Sequence, residues 1–180
     1  KGITQTQINP HIGLTFARAL RSMLRHDPDV MMVGEVRDAE TAEVTIQTAL
    51  TGHLVFSTLH TNDAAGAAVR LLDMGIDPYL ITSTVRAFVA QRLVRVICHH
   101  CKQDYESQGR RFYRGQGCHQ CHQTGYLGRV AIYEFLLLAR PIQDLILQRV
   151  SSAAIRDRAV ALGMTTLAND GWEKVAQGIT

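Results

Sequence analysis

Apolar positions first recur at helical spacing, then gather in short runs, and become sparse in the middle of the chain. Leu14, Phe16, Ala17, Leu20 and Leu24 fall near a 3.6-residue period, which predicts a helix over 15–26 with Thr15 as its cap. Asp27-Pro28-Asp29 stops it, and Val30-Met31-Met32-Val33 follows. That run is too short for a helix and suits a strand buried on both faces. Gly34 to Asp38 breaks it, helical spacing returns over 39–50, and Gly52 supplies a glycine stop. Residues 53–59 read as a second strand.

Strand, helix and strand within about thirty residues form the pattern of a βαβ unit, whose strands are parallel and whose crossover is right-handed. Both strands then end at one edge of the sheet. Glu35 and His60 would meet there, at the carboxyl edge where open α/β sheets bind ligands. The plainer alternative is that both are polar loop residues.

Asn62 or Asp63 is placed to cap a further helix over 64–74, ended by Gly75. Pro78 is expected to start a longer helix running through Leu80, Ile81, Val85, Phe88, Val89 and Leu93. Composition changes at Cys98: residues 98–128 are rich in His, Gln, Gly, Arg and Cys and poor in aliphatics. Residues 129–138 are strand-like, and 141–150, 153–162 and 165–176 read as three short amphipathic helices. The expected division is 1–95, 96–135 and 136–180.

The chain has 180 residues, 46% apolar and 19% charged, enough to bury a core and unlike a disordered or fibrous protein. Its net charge of +3 gives no argument for nucleic acid or an anionic membrane. The basic residues are 16 Arg and only 3 Lys; Arg is the better fork for phosphate and carboxylate, though at many positions it is merely a solvated side chain. No apolar run approaches the ~18 residues of a membrane span. Lys1-Gly2-Ile3-Thr4 resembles neither a signal peptide nor a natural start, so the chain reads as a fragment, with tag removal as the other explanation.

All four cysteines lie in two pairs, Cys98-x-x-Cys101 and Cys118-x-x-Cys121, sixteen residues apart. This spacing fits a four-thiolate structural zinc site; a redox pair, an iron–sulfur cluster and disulfides are the alternatives. A segment so poor in aliphatics needs a metal in place of a core. His99, His100, His119 and His122 crowd the pairs, yet four thiolates already fill a tetrahedron.

A buried strand that delivers a carboxylate to the sheet edge, as 30–35 does, is how many nucleotide hydrolases place a Mg²⁺ ligand or a water-positioning group. Ser57, Thr58, His60 and Thr61 on the adjoining strand add hydroxyls and an imidazole. Arg18, Arg21 and Arg25 share a helix face, as either a solvated stripe or a phosphate-facing one. No Gly-x-x-x-x-Gly-Lys-Ser/Thr occurs, so this chain by itself cannot cradle a β- or γ-phosphate in that way. Arg110-Arg111-Phe112-Tyr113-Arg114 would suit a zinc-ribbon module that binds nucleic acid. That reading leaves the βαβ unit unexplained. A docking domain without catalysis would leave Glu35 and His60 without a joint role.

Residues 24–38 resemble the Walker B segment, and residues 50–62 the histidine box, of the secretion traffic ATPases. The four Cys followed by Gly125-Tyr126-Leu127-Gly128-Arg129 resemble that family's zinc subdomain. The family comprises type II secretion ATPases and type IV pilus assembly ATPases, and the likeness runs from about Gln5 onward. Pilus retraction ATPases share the first two motifs but lack the cysteines, which puts this chain on the secretion and assembly side.

The resemblance implies an α/β fold: the C-terminal part of a RecA-like P-loop NTPase core, an inserted tetracysteine zinc subdomain and a small helical C-terminal subdomain. It implies a cytoplasmic homo-hexamer on inner-membrane platform proteins, with no direct insertion and no nucleic acid, hydrolysing ATP with Mg²⁺ to drive pseudopilus or pilus extension. It assigns Glu35 as the Walker B acid and His60 as the histidine-box residue near the γ-phosphate. It assigns Arg21, Arg25, Arg37, Arg70, Arg129 and Thr58 to nucleotide or phosphate contact, and Cys98, Cys101, Cys118 and Cys121 to structural Zn²⁺. The family's phosphate loop lies upstream of the matching region, so the chain alone is expected to be inactive. The stretch between the Cys pairs is shorter than in some relatives.

Overall fold

The computed structural model describes residues 2–180. Its contacts gather into two compact units: the chain up to Phe88 together with Leu137–Arg158, and Val89–Leu136 together with Ala159–Thr180. The C-terminal helices are thus shared between the two.

In the first unit, α1 (Phe16–Met23) starts at Thr15, whose hydroxyl accepts the Arg18 N–H, and ends in a 3-10 turn at Leu24–His26. Asp27 then turns left-handed, and β1 (Val30–Val33) follows. Asp38 caps α2 (Ala39–Leu50) through the Thr41 N–H at 2.8 Å. β2 (Leu54–Ser57) returns parallel to β1 in the register Val30↔Leu54 to Val33↔Ser57, so the βαβ expectation holds. Asp63 caps α3 (Ala64–Asp73), which buries Ala64, Ala65, Ala67, Ala68, Leu71 and Leu72. α4 (Pro78–Thr84) packs on α2, and α5 (Arg140–Leu147) packs on α4.

Two expectations fail here. β1 is not buried on both faces: Met31 and Val33 are buried, but Val30 and Met32 are 58% and 73% exposed. Their register partners Leu54 and Phe56 are exposed as well, because the described residues cover only one face of this two-stranded sheet. The long helix from Pro78 does not form either. The hydroxyls of Thr82, Ser83 and Thr84 each bond back to a carbonyl of the preceding turn, and Val85 turns extended at ψ 129. Ala87–Ile97 is a strand, β3, paired with β6 (Tyr126–Leu137). Its Val94-Val96-Ile97 stretch carries the β-branched side chains that favour a sheet.

The second unit is built from β3, β6 and an antiparallel hairpin, β4 (Lys102–Ser107) and β5 (Arg110–Gly115). The hairpin's two central residues, Gln108 and Gly109, have φ of 52° and 71°, the paired left-handed values of a tight hairpin turn. With almost no aliphatics, it is held by Tyr105 against Phe112 at 5.9 Å and by Lys102 over the Tyr113 ring at 4.3 Å. Thr166 caps α7 (Leu167–Ala176), whose Leu167 N–H donates to the buried Glu134 carboxylate at 3.2 Å. Asp170 accepts the Tyr133 N–H and pairs with Lys174 at 2.7 Å. Past α7, the Ile179 carbonyl accepts the Ile97 N–H at 2.8 Å, next to Cys98. The remaining helix, α6 (Ser152–Ala161), buries Ile155 and Ala159. Among the described residues, no helix is long and apolar enough to cross a membrane.

Candidate functional site

Parallel pairing carries the ends of β1 and β2 to one edge, and Glu35 and His60 meet just beyond them. His60 Nε2 lies 3.1 Å from Glu35 Oε2, and Arg37 Nε lies 2.6 Å from the same oxygen. The Arg37 hydrogen bond, then that of His60, holds the Glu35 carboxyl below the usual carboxylate range against a smaller opposing effect of burial. Glu35 is therefore an anion at neutral pH, partly shielded and with both bonds on one oxygen. An ionised carboxylate beside an imidazole at an open sheet edge can orient a water, accept its proton or ligate a hard cation.

The other expected contacts are placed as follows. Thr58 Oγ1 donates to the Gly34 carbonyl at 2.7 Å. Arg21 pairs with Glu40 at 2.9 Å, across α1 and α2. Arg25 and Arg70 are exposed in the first unit, and Arg129 is exposed in the second. Reading the sequence missed the Arg37–Glu35 pair: a spacing of two residues in a loop gives no periodic signal.

The second centre lies between the two cysteine pairs. Cys98 and Cys118 Sγ are 3.8 Å apart, Cys101 and Cys121 Sγ 3.8 Å, and Cys118 and Cys121 Sγ 3.7 Å. All four sulfurs lie within 4.8 Å of one another. A tetrahedron with metal–sulfur bonds of about 2.3 Å has edges of about 3.8 Å, so the cluster has the dimensions of a four-thiolate zinc site. None of the four forms a disulfide.

The backbone prepares this cluster for charge. Burial would raise the Cys121 thiol, but the Cys118 and Gly125 N–H groups, 3.2 and 3.3 Å from its sulfur, bring it down to about 6. At Cys101, burial together with the neighbouring sulfurs pushes the thiol up to about 12. Without a cation, then, the four sulfurs resist joint ionisation, and a divalent metal relieves that repulsion.

Gly125 is the residue that sequence reading undervalued. Its carbonyl accepts the Cys98 N–H at 2.9 Å, and its backbone lies directly against Gly115 at the end of β5. A Cβ on Gly115 would run into the Gly125 carbonyl, which accounts for a glycine at each position. The four histidines near the cysteines are not part of the cluster, and the His99 and His100 rings lie 3.9 Å apart, tilted by 39°.

Known proteins resemble this chain over almost its whole length. The type IV pilus assembly ATPase PilB of Thermus thermophilus is 49% identical over 194 residues, which take in 99% of this chain and 22% of that protein. The type II secretion system ATPase E of Vibrio cholerae is 47% identical over 192 residues, covering 99% of this chain and 38% of that protein. The chain thus spans well under half the length of either relative. The crystal structure of the Legionella pneumophila ATPase DotB superposes with a TM-score of 0.68 at 27% identity, over 92% of this chain and 39% of that one. The α/β fold is shared with that ATPase. The model of the Type II/IV secretion system protein family matches residues 1–180, and with a carboxylate–imidazole pair and a tetracysteine cluster where the motifs place them, the chain belongs to that family.

Proposed function

We propose that this chain is the C-terminal part of a cytoplasmic ATPase motor subunit that powers pseudopilus assembly and protein export in type II secretion. The observation that carries this reading is the 3.1 Å contact between Glu35 and His60 at the carboxyl ends of parallel strands. Glu35 orients and deprotonates the attacking water, and His60 holds the carboxylate and lies close to the γ-phosphate. Mg²⁺, when bound with ATP, neutralises charge on the phosphate oxygens. Arg21, Arg25, Arg37, Arg70 and Arg129 are the groups offered to phosphate, within one subunit or across a homo-hexamer. Arg37 reaches it by releasing Glu35.

The phosphate-binding loop comes from the upstream part of the complete protein, so the isolated chain has no turnover of its own. Cys98, Cys101, Cys118 and Cys121 would hold a structural Zn²⁺, and four thiolate ligands would leave it no place for a catalytic water. The motor sits on inner-membrane platform proteins without entering the bilayer. Assembly of a type IV pilus is the second reading, favoured by the 49% identity to PilB.

The test is Glu35→Gln in the complete protein. It keeps size and reach but removes the charge, so ATP binding survives while turnover falls about 100- to 1000-fold. Turnover within about threefold of the parent would reduce Glu35 to a strand-end residue and end the catalytic assignment.

A further inference from the structure

We propose that Thr58 is a positioning residue for Glu35, fixing the carboxylate from the neighbouring strand instead of touching nucleotide. This rests on the reading of Glu35 as the water-activating group. The regular ladder between β1 and β2 ends at the pair Val33↔Ser57. One residue beyond it, Thr58 holds both peptide groups that flank Glu35. Its carbonyl accepts the Val36 N–H at 2.9 Å, and its hydroxyl donates to the Gly34 carbonyl at 2.7 Å.

Those two bonds fall on either side of the Glu35 Cα, so together they set the direction in which its side chain leaves the backbone. A β-branched residue suits the task, because its hydroxyl is confined to few rotamers. Val33 and Val36, both buried, anchor the turn on either side. His60 lies two residues past Thr58, so the same brace also sets how closely the imidazole approaches Glu35. Valine has the shape of threonine without the donor and therefore removes one bond with little change in packing. A hydroxyl spent on the Gly34 carbonyl is not one offered to a phosphate oxygen.

The experiment uses the complete protein with ATP and Mg²⁺, and compares Thr58→Val, Thr58→Ser and Glu35→Gln. Loosening a reacting group by about an ångström costs up to about a hundredfold. Thr58→Val is therefore expected to lower kcat about 10- to 100-fold with KM for ATP within about twofold. Thr58→Ser, which keeps the donor, should stay within about threefold of the parent in both. Thr58→Ala serves as a second deletion of the hydroxyl should the valine variant fold poorly, with the same expected loss. A raised KM with unchanged kcat assigns Thr58 to the nucleotide and overturns the proposal. Unchanged kinetics in the variants lacking the hydroxyl, with Glu35→Gln inactive, overturn the proposal and leave Glu35 in its role. An active Glu35→Gln overturns both.

Discussion

Gly115→Ala places one methyl group where the chain has no room for it. The added carbon would overlap the Gly125 carbonyl, which is backbone and cannot rotate away. Forcing a carbon into a closed contact costs about 1–3 kcal/mol. Relief requires moving Gly125, which loosens the Cys98 N–H bond to its carbonyl at 2.9 Å and adds about 1 kcal/mol. Metal release that lets the two cysteine pairs move apart would relieve this strain, so the strain opposes metal binding. Summed, about 2–4 kcal/mol corresponds to zinc held roughly 30- to 700-fold less tightly. Competition against a chromophoric chelator reads this shift directly. Gly109→Ala is the control: nothing lies within 4 Å of its added carbon, and only its φ of 71° is strained. Its effect should be confined to about 1 kcal/mol of hairpin stability. A Gly115→Ala protein that competes for zinc as the parent does would refute the argument.

Further outcomes follow from other contacts. Cys118→Ser should drop zinc content well below one per chain and speed amide exchange in residues 98–125 while β1, α2 and β2 keep their protection; elemental analysis and hydrogen exchange check it. Glu35 titrates low because Arg37 and His60 bond its anion, so that stabilisation is present above the ordinary carboxylate pKa and is lost as pH falls through the lowered one. Arg37→Ala should therefore move the acid limb of kcat/KM in the complete protein, and the Glu35 carboxyl titration seen by NMR, to higher pH. Asp63 caps α3 at 2.7 Å and reaches Arg156 at 3.3 Å, so Asp63→Ala should cost about 1–2 kcal/mol in denaturant unfolding.

The parts of this fold that could be read from the sequence are those with local signals. α2, with Asp38 before it and a glycine after, and the two short strands around it follow from spacing and caps alone. So does the meeting of Glu35 and His60, since parallel strands joined by a right-handed crossover end at one edge. The sulfur cluster follows from cysteine spacing. β3 could not be read this way: Ile81, Val85, Phe88, Val89 and Leu93 satisfy a helical period equally well. What decides for a strand is β6, whose sequence begins about thirty residues further on. The hairpin was hidden for a different reason. It is held by rings and cations instead of alternating aliphatics, leaving Gln108-Gly109 as its one local mark. The exposed side of β1 was illegible as well, because a valine or methionine in the sequence carries no record of what covers it.

The β4–β5 hairpin is tied at both ends, by Cys101 directly before it and by Cys118 three residues after it, while its tip at Gln108 and Gly109 faces solvent. Chain added at the tip extends a loop that is already closed, at an entropic cost that grows only with the logarithm of its length. Residues can therefore be added at this tip with little effect on the rest of the unit. For the experimenter it is a handle: a fluorophore, an epitope or a crosslinker placed between Gln108 and Gly109 should leave the sulfur cluster undisturbed.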